Sequence, residues 1–184
     1  MSMAKLTLLA LGLIAAASTQ AAGAKLDLVS KVFHDGAYLP RVYDETDILH
    51  RYGEGESSVD DVGLIRRRYW DPSTALEVVI TSNPDVAASV RTVDEIRVSA
   101  IATGPQSVKE TEILKGLNLK GVIIGDPESK GRAAAADYGQ THISREKLGQ
   151  LDVEIVCGYV DSGSSICFYS RSKKIVAMAV GFGP

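Results

Sequence analysis

The two cysteines of the chain, Cys157 and Cys167, lie at equal distances from Ser162, inside a cluster of turn residues. The flanking segments 153–160 and 165–171 are rich in β-branched and aromatic residues, which predicts the two strands of a hairpin. Pairing about Ser162 places the cysteines directly opposite each other, where Cα atoms lie about 4.5–5.5 Å apart, within the range that a disulfide requires. The sequence therefore predicts a disulfide across a β-hairpin, with a redox or metal-binding pair as the alternative.

The N-terminus has the features of a secretory signal peptide. Lys5 precedes an apolar run from Leu6 to Ala17, and small residues follow, with cleavage expected after Ala21 or Ala24. The run is shorter than the ~20 apolar residues of a membrane-spanning helix, so we expect no stable membrane insertion after cleavage. We predict a signal peptide over residues 1–21 and a periplasmic or secreted product, a compartment in which a disulfide persists.

The second half of the chain predicts a helix followed by strands. Asp126 and Pro127 are suited to begin a helix, alanines extend it, and Gly139 is placed to end it. Three segments with alternating or β-rich composition follow: Val153–Val160, Ser165–Arg171 and Ile175–Phe182.

The first half repeats this plan. A helix that begins near Asp44 ends in Tyr52-Gly53, as the second helix ends in Tyr138-Gly139. Three strand candidates follow again: Leu64–Trp70, Ala75–Ser82 and Glu95–Ala102. We predict an α+β fold of antiparallel β-meander sheets with short helices packed on them, in two similar α-β-β-β units over residues 22–105 and 106–184. A chance recurrence of the Tyr-Gly dipeptide is the alternative.

A basic and aromatic strand is the strongest candidate for a binding surface. Side chains alternate along a strand, so Arg66, Arg68 and Trp70 share one face. Arginine and tryptophan are enriched at the energetic centres of protein interfaces. The alternative is that Trp70 covers the core and the arginines are solvated or paired with acids. The predicted hairpin turn, with Asp161 and Ser162, is a second candidate contact.

Arg91 and Arg97 would extend the face of Arg66, Arg68 and Trp70 if their strand pairs alongside.

The sequence gives little support to catalysis, metal binding or nucleic-acid binding. His34, His50 and His142 share no metal-ligand spacing, and no CxxC or nucleophile-elbow motif is present. A formal net charge of −3 argues against nucleic acid as the partner. We predict no enzyme, no cofactor and no metal site. An enzyme would require His50, His142 and acidic residues to converge in one cleft.

The second half resembles a recurrent extracytoplasmic module, with a lead-in Ile124-Gly125-Asp126, a helix ending in Tyr138-Gly139 and a strand meander. Tandem copies of such a plan are similar to the β-lactamase inhibitory protein, and a single copy resembles the small outer-membrane lipoprotein of the barrel-assembly machinery. The stretch from Ser162-Gly163 to Tyr169 resembles the Ser-Gly-x-x-Tyr loop of periplasmic lysozyme inhibitors.

These resemblances imply that the chain binds another extracytoplasmic protein. The leading expectation is a protein-binding module that acts as an inhibitor of a hydrolase or as an immunity protein. The alternative is an envelope structural or assembly factor without inhibitory activity.

Overall fold

The computed structural model describes residues 45–87, 91–104, 107–108 and 116–182, together with Val29, Val32 and Phe33. The predicted signal peptide lies outside these residues. Within the described part of the chain, no helix is long and apolar enough to cross a membrane.

Two helices with defined bounds and nine strands make up most of the described fold. The helices are α1 (Glu45–Tyr52) and α2 (Glu128–Tyr138). The strands are β1 (Glu56–Val59), β2 (Ile65–Asp71), β3 (Leu76–Ser82), β4 (Val93–Ser99), β5 (Ser107–Val108), β6 (Gln140–Leu148), β7 (Leu151–Tyr159), β8 (Ser165–Arg171) and β9 (Lys174–Gly181).

All of these strands belong to one sheet. Eight follow an antiparallel path in the order β1-β2-β3-β4-β9-β8-β7-β6, and β5 pairs in parallel with β2. The two halves of the chain meet where β4 pairs with β9, with Arg97 opposite Ala179. The predicted α+β antiparallel meander with short packed helices is confirmed. The division into two units at residue 105 stays a prediction.

Every strand predicted from the sequence is present, with ends shifted by a few residues. Each half has one further antiparallel strand after its helix, β1 in the first and β6 in the second, so the predicted α-β-β-β order is incomplete. Along β6 only Leu148 is buried, and this strand lies at an end of the sheet. An edge strand that faces water on both sides has no hydrophobic alternation, which is the signal by which strands are predicted.

The sheet has two distinct faces. The helix face, on which α1 and α2 pack, holds the larger core, including Ile80, Ile96, Phe168 and Met178. The opposite side we call the arginine face. Its central row consists of residues directly opposite one another across adjacent strands: Arg68, Val79, Arg97, Ala179, Cys167, Cys157 and His142.

Small residues bring α2 close to the sheet. A Cβ added at Gly158 on β7 would lie 2.2 Å from the carbonyl oxygen of Ala135, and one at Gly131 would lie 2.9 Å from Cδ1 of Ile175. At Gly158 the backbone of the helix therefore lies directly on the strand backbone, and at Gly131 it lies directly on the side chains of Ile175 and Phe168.

The ends of α2 differ in part from the prediction. Pro127 occupies the N-cap position and no side chain caps the helix, so the expected cap at Asp126 is wrong. The carboxylate of Asp126 instead accepts hydrogen bonds from the N–H of Ile123 and from Lys130. Gly139 does end the helix, but its φ of 175° is an extended conformation. A glycine is needed there because a Cβ would lie 1.9 Å from the carbonyl oxygen of Tyr159.

A buried ion network fixes α1 to the sheet. The carboxylate of Glu45, on a residue only 3% exposed, lies 3.1 Å from Nη2 of Arg67 and 2.6 Å from Nη1 of Arg91. Arg67 Nη1 also donates to the carboxylate of Glu54 at 2.7 Å. Nearby, Tyr69 donates to the carbonyl of Gly53, and burial raises the pKa of Tyr69 to about 12, so the phenol stays a neutral donor.

We expect Gly158→Ala to lower the free energy of unfolding by about 1–3 kcal/mol, because the new methyl group forces α2 away from β7. Gly181→Ala is the matched control, since its methyl group meets the movable hydroxyl of Ser165 at 2.5 Å and no backbone atom nearer than 4.0 Å. Chemical denaturation measures both variants. Equal stability of Gly158→Ala and wild type would contradict the close packing of α2.

We expect Glu45→Gln to lower the free energy of unfolding by about 3 kcal/mol, because two buried arginines lose their shared anion. Glu54→Gln is the control. The side chain of Glu54 is 76% exposed, so its ion pair with Arg67 contributes less than about 1 kcal/mol. Similar losses in the two variants, measured by urea unfolding, would show that the buried network does not hold α1 in place.

Candidate functional site

The predicted binding residues Arg66, Arg68 and Trp70 lie on β2 and share the arginine face. Each is partly exposed, while Arg67 and Tyr69 between them are buried on the helix face. The predicted alternation along this strand is thus confirmed. The three side chains differ in the hydrogen bonds and ion pairs that they form.

Arg66 is partly engaged within its own half of the sheet. Its Nη2 atom lies 2.9 Å from Oδ2 of Asp60, and 37% of the arginine side chain is exposed. This is an ion contact without the alignment of a hydrogen bond, since Oδ2 of Asp60 has no aligned donor. The other carboxylate oxygen of Asp60 accepts from the N–H groups of Val62 and Leu64 in the β1–β2 turn. The alternative interpretation, in which the arginines of this strand pair with nearby acids, is therefore confirmed for Arg66.

Arg68 is held by hydroxyl groups. Its Nη1 donates to the hydroxyl of Ser58 at 2.7 Å, and its Nε donates to the hydroxyl of Thr103 at 3.3 Å. Thr103 in turn donates its N–H and its hydroxyl to the buried carboxylate of Glu77, at 2.9 and 2.7 Å. The guanidinium is thereby fixed in one orientation and linked to an acid through Thr103.

Trp70 lies beside this network at the end of β2. It stands opposite Glu77 on β3, and on its other side it pairs with Val108 of β5. Asp71 follows it and fixes the turn to β3 by accepting hydrogen bonds from Ser73 and Thr74. The tryptophan is half-buried, so it contributes to packing and also presents part of its ring to solvent.

Arg97 continues the arginine face into the middle of the sheet. It occupies the same row as Arg68, separated from it by Val79, so this predicted extension is confirmed. Arg97 is 9% exposed, its guanidinium carbon lies 6.0 Å from the ring centroid of Tyr169, and its Nε has no hydrogen-bond partner. At that distance the cation and the ring attract each other. Burial raises the pKa of Tyr169 above its usual range, which keeps the phenol neutral beside the cation.

The suggested extension through Arg91 is wrong. This residue bonds to Glu45 of α1 and to the carbonyl groups of Pro84 and Val86. Its side chain is therefore committed to the helix α1, away from Arg68.

The second predicted contact, the turn with Asp161 and Ser162, is remote from the first. Both residues are exposed between β7 and β8, where the hydroxyl of Ser162 lies 3.3 Å from that of Ser164. In the strand order, β3, β4 and β9 lie between β2 and β8. At about 4.8 Å per strand, the turn is roughly 20 Å from Arg66. The structure does not bring the two predicted contacts into one patch.

The predicted disulfide between Cys157 and Cys167 is present, and the two residues lie directly opposite each other on β7 and β8. It belongs to the arginine face, in a small core with Ile155, Tyr169 and Ala179. The alternative of a redox or metal-binding cysteine pair is therefore not supported.

The histidines of the enzyme alternative lie far apart in the fold. His50 is exposed on α1, which packs over β2, and His142 is exposed on β6 at the other end of the strand order. Among the residues that the structure describes, no group of His, Cys, Asp or Glu side chains is arranged to hold a metal.

A charged cleft that the sequence did not suggest lies beside the N-terminal end of α2. It has a volume of about 580 Å³ and mixes acidic and basic side chains from the β6–β7 and β8–β9 hairpins. Glu154 at its wall accepts from Arg132 of α2 and lies 3.5 Å from Arg145. These charges largely compensate one another, so the cleft has no clear preference for an anion or a cation.

Comparison of the chain with protein-family models, with curated proteins and with solved structures gave no match. The resemblances to inhibitory proteins therefore stay predictions, and the geometry of the two faces is what bears on function.

We expect the turn after Trp70 to be sensitive to acid. Burial alone would raise the pKa of Asp71, but hydrogen bonds from Ser73 and Thr74 outweigh it and lower the pKa below its ordinary value of 3.8. Asp71 therefore stabilises the fold at pH above about 4, and this stabilisation is lost as the pH falls through the lowered pKa. Asp71→Asn should cost about 1–2 kcal/mol at pH 7 and much less near pH 2. Unfolding of both proteins across this pH range measures the difference, and a constant difference would contradict the role of the carboxylate.

Proposed function

We propose that the protein is exported from the cytoplasm and binds another extracytoplasmic protein through the arginine face, with Arg66, Arg68 and Trp70 as its main contacts. The action that follows is inhibition of a hydrolase or immunity to a toxin. The observation that carries the proposal is the position of these three partly exposed side chains side by side on the sheet face opposite α1 and α2.

The fixed orientation of the Arg68 guanidinium supports a binding role. Its guanidinium is already oriented by Ser58 and Thr103, so a partner would not have to immobilise a free side chain. Preorganisation of this kind lowers the entropic cost of binding. A guanidinium held by neutral hydroxyls also keeps its charge available to a carboxylate of the partner, and planar two-point contact with carboxylates is the geometry that arginine favours.

The support beneath this surface is rigid. Val79 and Glu77, on the adjacent strand β3, are almost completely buried. The disulfide lies farther along the sheet, where it joins β7 to β8. Tryptophan and arginine on a rigid strand surface are the residues that most often dominate binding energy. The same disulfide fits a protein that folds in an oxidising compartment, which agrees with the predicted signal peptide.

The proposal assigns no catalytic group, cofactor or nucleic acid to the protein. The two candidate histidines lie at opposite ends of the strand order. The charged cleft carries compensated acids and bases, a composition typical of a solvated surface.

The first test is a pull-down from an envelope extract with the mature protein and with the variant Arg66→Ala/Arg68→Ala/Trp70→Ala. We expect one stoichiometric partner for wild type. The triple variant should bind at least about 30-fold more weakly, because truncation of a central arginine or tryptophan costs about 2 kcal/mol or more. Affinity for the identified partner is then measured by titration calorimetry.

Two matched variants locate the surface. Arg171→Ala/Lys173→Ala removes two exposed cations from another part of the sheet and should bind as wild type does. Asp161→Ala/Ser162→Ala tests the remote turn. Circular dichroism and an intact disulfide show that each variant is folded. A partner retained at full affinity by the folded triple variant would contradict the proposed surface. The absence of any partner would contradict protein binding and direct the search to small ligands.

A further inference from the structure

The two ends of the sheet differ in the length of the strands that form them. The outer edge of β2 is covered from Ile65 to Trp70, by β1 along residues 65–68 and by β5 at Tyr69 and Trp70. At the other end, β6 pairs with β7 on one side, and none of the described strands pairs with its other side. One end of the sheet therefore finishes in two short strands, and the other presents a complete strand of nine residues.

The free edge of β6 is long and accessible. The strand has nine residues, and all except Ser144 and Leu148 are exposed. Ile143, an apolar residue, is 51% exposed, and the side chain of Arg145 is 85% exposed. An unpaired strand edge has backbone donors and acceptors that can pair with another strand.

We infer that β6 pairs with β6 of a second copy of this chain, antiparallel and about a two-fold axis at Ser144. Ser144 is the middle residue of Gln140–Leu148, so this register pairs the two strands over their whole length. An antiparallel pair of identical strands is self-complementary, as the interface of a two-fold dimer must be.

The charges along β6 fit this register. His142 lies opposite the partner's Glu146, and Ile143 lies opposite the aliphatic part of the partner's Arg145. Thr141 lies opposite the partner's Lys147, so no two like charges face each other. Opposite charges in directly facing cross-strand pairs stabilise a sheet, and like charges destabilise it.

Neighbouring registers fit less well. An axis at Arg145 places this arginine opposite itself, and an axis at Glu146 opposes two glutamates and also places Arg145 opposite the partner's Lys147. An axis at Ile143 opposes no like charges, but it pairs only residues 140–146. The register at Ser144 is thus the one that combines full overlap with compatible charges.

The pairing also explains why one edge is left free. A dimer through β6 uses the long edge of both copies, and the ends that remain are the short strands β1, of four residues, and β5, of two. Such short edge strands offer little backbone for a further chain to pair with, so the expected assembly is a dimer. In this register, residues of the same parity face each other, so the arginine faces of both copies lie on the same side of the continuous sheet.

Sedimentation of the mature protein at concentrations up to about 100 µM measures the dissociation constant of the dimer. Charge variants at two exposed positions of β6 test the proposed register. His142→Glu places a glutamate opposite the partner's Glu146 twice in each dimer and should weaken dimerisation about tenfold or more. His142→Glu/Glu146→Lys places opposite charges at this pair and should recover the dimer. His50→Glu, which makes the same change on α1, should have no effect.

A cysteine at the axis tests the register. Ser144→Cys should form a disulfide between two copies under mild oxidation, while Ile143→Cys and Arg145→Cys should join to each other and only weakly to themselves. A monomer at the highest concentration, a dimer that is insensitive to His142→Glu, or efficient self-joining of Ile143→Cys would each overturn the proposal. Binding of the extracytoplasmic partner is measured in a separate experiment. The dimer and the binding of a partner by the arginine face can therefore be contradicted independently of each other.

Discussion

The pairing of β4 with β9 is the contact on which the rest of the sheet depends. Each half of the chain forms a helix and antiparallel strands, and among the described strands this pair joins the antiparallel path of one half to that of the other. The short strand β5 makes a separate, parallel contact with β2. The strand order of the second half therefore reverses that of the first around Arg97 and Ala179. The same contact places Arg97 in one row with Arg68 on one side and with the disulfide on the other.

Because the strands of both halves form one sheet, residues are buried on both faces of that sheet. The helix face is closed by α1 through ions and by α2 through direct contact with glycine and alanine positions. The arginine face has a smaller apolar core beside the disulfide and a polar region around Glu77, Thr103 and Arg68. A buried carboxylate and a cation linked through one hydroxyl give that region a fixed geometry.

The sequence predicted the elements that carry a local signal. The hairpin disulfide, the central strands and the common face of Arg66, Arg68 and Trp70 follow from spacing and alternation, which act over a few residues. The strand β6 has no such signal, since both of its sides face water. The roles of Glu45, Arg91 and Thr103 depend on contacts between residues distant in the chain, as with the 46 residues that separate Glu45 from Arg91. Periodicity does not show which strands of the two halves pair with each other. Neither the central position of Arg97 nor the distance between Arg66 and the Asp161 turn was therefore predictable.

The central claim is that the arginine face contacts a partner protein outside the cytoplasm. A photo-crosslinking amino acid placed at Trp70 in the exported protein, in living cells, tests it most directly, with the same group at His50 on α1 as the comparison. The account predicts one strong crosslinked species from position 70 and none from position 50. Equal crosslinking at both positions, or a species formed at position 50 alone, would contradict the claim.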